Sequence, residues 1–152
     1  MKKFLTITYL TGILISYSLL PNVRTPEQLS IWMHENLTYQ SEGLSDVWKT
    51  PQQTISDKNG DCEDMAILSQ AVLADLKIES QLIYIRYAPL EFGHVICIYK
   101  TFEGTYNIFD NQYLFKTSYT SRKEVLDNNY SKWRKSAICD KNKNCSTWTY
   151  HN

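Results

Sequence analysis

Gly60-Asp61-Cys62-Glu63-Asp64-Met65-Ala66-Ile67-Leu68-Ser69-Gln70-Ala71-Val72-Leu73-Ala74-Asp75-Leu76 is the stretch on which the fold turns. Asp61 followed three residues later by Asp64 resembles a helix-opening capping box. From Cys62 to Leu76 the chain is apolar on nearly every face, so this helix is expected to be buried, packed against a sheet. Gly60 permits the tight turn and close backbone approach that the helix start needs. A cysteine in the first helical turn meets unpaired N–H groups and the positive end of the helix dipole, which favour thiolate. Its own N–H can point at a developing oxyanion.

Three strand-like runs follow, Ser80 to Tyr87, Gly93 to Thr101 and Thr105 to Asp110. A buried helix followed by an antiparallel meander reads as α+β. Phe102-Glu103-Gly104 fits a three-residue hairpin loop with Gly104 in the left-handed position. That register opposes Ile96 to Asp110 and His94 to Gln112. His94 and Asp110 then become diagonal neighbours on one face, within reach of each other. A two-residue Glu103-Gly104 loop would send them to opposite faces. Cys62, His94 and Asp110 supply a thiol, an imidazole and a carboxylate, the parts of a nucleophilic acyl-transfer site. Each has a plainer reading taken singly: an inert buried thiol, a structural histidine, and an aspartate opening the turn Asp110-Asn111-Gln112. Together, with Gly-Asp-Cys-Glu-Asp opening a buried helix, they point to a cysteine enzyme.

Upstream, Thr25-Pro26-Glu27-Gln28 combines a Thr N-cap with Pro at the first helical position, and Leu29, Trp32, Met33 and Leu37 give a helical stripe. Ser41 to Asn59 is polar and turn-rich, a loop or a loop with one short helix. Beyond Tyr113 the signals weaken. Residues 121 to 129 read as helical, and the polar tail has Trp133 and Trp148 as anchors. No repeat or linker divides the chain, so residues 25–152 are expected to form one domain.

The length of 152 residues suits a single core. With 16 basic and 16 acidic residues, no global field steers the chain toward nucleic acid or an anionic membrane. Met1-Lys2-Lys3, the apolar run Phe4 to Ile15, and the small-x-small Ser16-Tyr17-Ser18 make residues 1–24 read as a secretory signal peptide, or otherwise a hydrophobic N-terminal segment. The run is short and diluted for a membrane span, so no stable span is expected, and a periplasmic or secreted location follows. Cys139 and Cys145 bracket a polar loop and suit a disulfide in an oxidising compartment. Cys97 alternates with apolar neighbours as a small core residue.

Trp48-Lys49-Thr50-Pro51, Gly60-Asp61-Cys62-Glu63-Asp64-Met65-Ala66, Gly93-His94-Val95 and Phe109-Asp110 together resemble the transglutaminase-like superfamily, in particular its bacterial transglutaminase-like cysteine proteinases. The resemblance spans about residues 25 to 115. It implies a papain-like arrangement, with the Cys-bearing helix packed on an antiparallel sheet that carries the His and Asp. It implies Cys62 as nucleophile, His94 as general base and acid, and Asp110 as the orienting carboxylate. An exported peptidase or amidase with a protein or peptide substrate is the leading reading. Acyl transfer to amines and a non-catalytic secreted binding module of the same fold are its rivals.

Asp61, Glu63 and Asp64 crowd the thiol, and three carboxylates oppose thiolate formation. They are either helix caps or calcium ligands, since calcium takes carboxylate oxygens and would reverse their effect on the thiol. Some periplasmic members of the resembled branch use calcium beside an Asp-Cys-Glu-Asp motif. No other cofactor is called for. Zinc is disfavoured, because no Cys-x-x-Cys or His-x-x-x-His pair exists. Trp48 either walls the cleft or helps form the oxyanion pocket, or else fills the core beside the Cys helix, and Gln52 and Gln53 are weaker oxyanion candidates.

Overall fold

A computed structural model describes residues 20–41, 47–87 and 93–151. The expected signal segment therefore lies outside the described residues up to position 19. Helix α1 (Pro26–Asn36) opens on Thr25, whose side chain accepts the Gln28 N–H, and carries Pro26 in its first turn. The turn-rich region contains one short helix, α2 (Pro51–Asp57), opened by a complete capping box between Thr50 and Gln53. Two short strands, β1 (Thr38–Tyr39) and β2 (Asn59–Gly60), pair in parallel and bring the chain to Asp61.

Helix α3 (Cys62–Asp75) then crosses the sheet. Strands β3 (Ser80–Tyr87), β4 (Gly93–Lys100), β5 (Tyr106–Asp110) and β6 (Tyr113–Lys116) form the expected antiparallel meander, one strand longer than the sequence suggests. Helix α4 (Arg122–Asn129) leads to β7 (Trp133–Cys139), which returns to pair with β3, and β8 (Thr149–Tyr150) adds to β7. The sheet order is β6-β5-β4-β3-β7-β8. The polar tail is thus two strands rather than a loose extension. Its Trp133 is buried, with the indole N–H donating to Asp127, while Trp148 is half-buried against Tyr84.

Alternation along the strands divides the core in two. Leu82, Val95, Cys97 and Phe109 join Leu29, Met33, Met65 and Leu68 on the α3 side. Ile83, Ile85, Ile96, Ile98 and Ile108 face Val125, Leu126 and Trp133 on the other. Helix α3 is buried along most of its length, as its all-round apolar pattern requires.

Two turns fix the site. At the β4–β5 hairpin, Cys97 opposes Phe109 and Ile98 opposes Ile108, and Thr101 and Thr105 close a loop of Phe102, Glu103 and Gly104. Gly104 has φ +91, a conformation glycine adopts without a Cβ penalty. The register is the one the three-residue loop demanded. At the β5–β6 turn, Asn111 is left-handed and Gln112 is buried. The Gln112 side-chain amide donates to the Met33 and Leu37 carbonyls at the end of α1, and Ser30 donates to the Gln112 carbonyl at 2.8 Å. The turn thus caps α1 and pins the end of β5, where Asp110 sits.

Candidate active site

Cys62 is the first residue of α3, buried at 9% exposure. Its position depends on Gly60, where a Cβ would lie 2.6 Å from the Asp64 Cβ. Asp64 in turn accepts the Lys49 N–H at 2.7 Å and the Asp61 N–H at 3.4 Å, which ties three segments together at the helix start. These bonds give Asp64 the capping role that the sequence allowed it.

The Cys62 sulfur meets two opposed influences. Its own S–H donates to Glu63 Oε2 at 3.1 Å, while the nearby Val95 backbone amide acts to lower the thiol's pKa. Burial, the Glu63 charge and the Glu63 hydrogen bond together push the thiol far above its ordinary range, against the Val95 contribution. The last β4–β5 pair is Cys97 with Phe109, so β5 has left β4 beside Val95. The Val95 amide that acts on the thiol therefore lies at the strand end where β5 departs.

His94 adjoins Val95 on β4, and its Nε2 lies 2.9 Å from Asp110 Oδ1. The diagonal register delivers this contact. Asp110 Oδ2 accepts the Tyr130 hydroxyl at 2.8 Å. Burial raises the Asp110 carboxyl, but the hydrogen bond and charge of His94 and the Tyr130 bond outweigh it, leaving the group below the ordinary carboxyl range. Tyr39 and Tyr87 flank the same region. Burial raises both phenols, and nearby carboxylates, Asp61 and Glu63 for Tyr39 and Asp110 for both, raise them further, to about 12 for Tyr87. Sequence reasoning missed all three tyrosines, because nothing local distinguishes them from the other aromatics of this tyrosine-rich chain.

The remaining candidates separate. Trp48 is half-buried, edge-on to Tyr84 at 6.4 Å between ring centres, and packs against the core beside α3. Gln53 serves the α2 cap. Gln52 lines a groove of about 900 Å³ with Ile67, Ala71 and Ile78, a groove to which Cys62, His94 and Asp110 contribute nothing. Asp61 and Glu63 are buried beside the thiol, but among the described residues no group of three His, Cys, Asp or Glu side chains converges in a metal-holding geometry. Cys139 and Cys145 form a disulfide, and Cys97 is a fully buried free thiol whose pKa burial raises to about 12.

A family model described as a transglutaminase-like domain matches residues 15–138. The chain belongs to the transglutaminase-like family. The α+β architecture of this member, with its Cys-bearing helix on an antiparallel sheet, is that of solved structures of Legionella pneumophila LapG. The calcium-bound form is 20% identical with a TM-score of 0.53, covering 73% of this chain and 62% of that one. An EGTA-treated form is 21% identical at the same TM-score, covering 74% and 63%. The chain thus spans less than two thirds of the LapG chains it matches. No curated protein matches it. Among the described residues no helix is long and apolar enough to cross a membrane.

Proposed function

We propose that this transglutaminase-like protein is an exported cysteine hydrolase, a peptidase or amidase working through an acyl-enzyme on a protein or peptide substrate. The observation that supports the reading is the 2.9 Å bond between His94 Nε2 and Asp110 Oδ1, made beside Val95, the residue whose amide acts on the Cys62 thiol. Asp110 holds His94 through Nε2, which leaves Nδ1 as the nitrogen to exchange a proton with the thiol. The Cys62 thiolate attacks the amide carbonyl, His94 protonates the leaving amine, and water activated by His94 then releases the acyl group. Export rests on the basic-then-apolar N-terminus and is supported by the Cys139–Cys145 disulfide.

The Glu63 hydrogen bond favours a cation-dependent form of this reading, because it keeps the thiol protonated. Asp61 and Glu63 offer hard carboxylate oxygens suited to calcium, with carbonyls and water to complete the set, whereas Asp64 is engaged by two backbone amides. Bound calcium would supply positive charge beside the thiol and so favour thiolate. LapG was solved in a calcium-bound form, which supports testing that ion first.

The test is Cys62 alkylation by iodoacetamide at neutral pH, with calcium and with EGTA, beside calorimetry of calcium binding. Faster labelling than a model thiol in calcium is expected, and labelling no faster in either condition sinks the activated nucleophile. Incubation with a glutamine donor and a fluorescent amine separates the chemistries, since label incorporation would replace hydrolysis by amine transfer. N-terminal sequencing of the mature protein after cell fractionation tests export.

A further inference from the structure

The Asp110 carboxylate has a second partner besides His94, and that partner comes from a different part of the fold. Tyr130 is the C-cap of α4, 7% exposed, in the cluster formed by the α4 face of the sheet. Its hydroxyl donates to Asp110 Oδ2 at 2.8 Å, and its ring centre lies 5.9 Å from the His94 ring, tilted by 45°. One side chain therefore touches both members of the His–Asp pair.

We propose that Tyr130 is the positioning residue of the site: it fixes the Asp110 carboxylate so that Oδ1 faces His94 Nε2, and it limits the tilt of the imidazole. This rests on the cysteine-hydrolase reading above. An aspartate side chain turns about its last torsion with a broad, roughly two-fold preference. Two oxygens bonded to two fixed partners remove that freedom. Burial of the carboxylate argues the same way, because an oxygen left without its donor there favours protonation, which would remove the charge that supports an imidazolium. The Tyr130 backbone is held by its own N–H to the Leu126 carbonyl at 2.9 Å, so the hydroxyl is aimed by α4. No substrate contact is assigned to it.

The experiment is the pH profile of Cys62 alkylation in calcium for wild type, Tyr130→Phe, Asp110→Asn and the double variant, with thermal unfolding of each. Tyr130→Phe is expected to lower the plateau rate about tenfold, as the loss of one hydrogen bond to a charged group allows. Its acid limb is expected to move to higher pH, because Asp110 loses a donor that holds its carboxyl low. In the Asp110→Asn background the same substitution should change the rate less than about twofold, since residues acting as a unit are not additive. A Tyr130→Phe profile that matches wild type, or an equal fall in both backgrounds, overturns the proposal. If Tyr130→Phe does not fold, 3-fluorotyrosine at position 130 keeps the shape and donates more strongly. It should move the acid limb to lower pH, and an unmoved limb overturns the proposal. A wild-type Cys62 no more reactive than a model thiol at any pH would overturn both this inference and the hydrolase reading. An activated wild type with a silent Tyr130 overturns this inference alone.

Discussion

Glu63→Gln asks whether the acid beside the thiol holds it in reserve. The Cys62 S–H donates to Glu63 Oε2 at 3.1 Å, and both residues are buried. The carboxylate charge is shared with the farther oxygen, so its centre lies about 4 Å away, and at an effective dielectric near ~20 it opposes a thiolate by about 4 kcal/mol. Removing that charge lowers the thiol pKa by about three, at roughly 1.4 kcal/mol each. A more acidic thiolate is a weaker nucleophile, with a Brønsted slope of about 0.5, so the net gain in alkylation rate near neutral pH is roughly 30-fold. The gain is full below the variant's thiol pKa, shrinks as pH rises above it, and reverses as pH approaches the wild-type thiol pKa, where the more basic thiolate is the better nucleophile. The assay is iodoacetamide labelling in EGTA across pH, followed on the Cys62 peptide by mass spectrometry because Cys97 is a second, fully buried thiol. Calcium should accelerate wild type and leave the Gln variant unmoved, because Glu63 is one of the two acids suited to hold the ion. A Gln variant that labels in EGTA at the wild-type rate over the whole pH range would refute the electrostatic argument.

Gly104→Ala is expected to cost about 1 kcal/mol, since φ +91 suits glycine, and to lower Tm by roughly 3 °C without altering Cys62 labelling. Reduction of Cys139–Cys145 opens a short loop and should cost about 2 kcal/mol, read as a fall in Tm of roughly 4–8 °C in dithiothreitol. Asp110→Asn should show a pH-dependent stability gap to wild type. The folded carboxyl lies below its ordinary value of 3.8, so its contribution is fully present above that value and is lost as pH falls through the folded pKa. Denaturant midpoints from pH 6 to pH 2 would test this, and a gap that stays constant down to pH 2 contradicts it.

The helix starts and the central hairpin were legible because single residues enforce them. Thr25 and Pro26 open α1, and the chain between Gly60 and Leu76 permits only a buried helix. The three-residue loop ending in Gly104 sets a register that brings His94 and Asp110 together. Strand β7 was hidden for the opposite reason. Trp133-Arg134-Lys135-Ser136 looks like solvent-exposed chain, yet it pairs with the buried strand β3, and Trp133, Ser136, Ala137 and Cys139 are buried. Its partner lies about fifty residues earlier, and local pattern carries no record of such a pairing. Strand β6 is short and mostly exposed at the sheet edge, where charged and aromatic side chains blur the alternation. Tyr130 was invisible because its role depends on where α4 ends against the sheet.

Past the Cys97–Phe109 pair the edge of β4 loses its β5 neighbour, and the Val95 amide there acts on the Cys62 thiol instead. The hydrogen-exchange rate of one backbone amide, Val95, is therefore expected to report whether the Cys62 sulfur is free or chemically modified, a readout that requires no knowledge of any substrate.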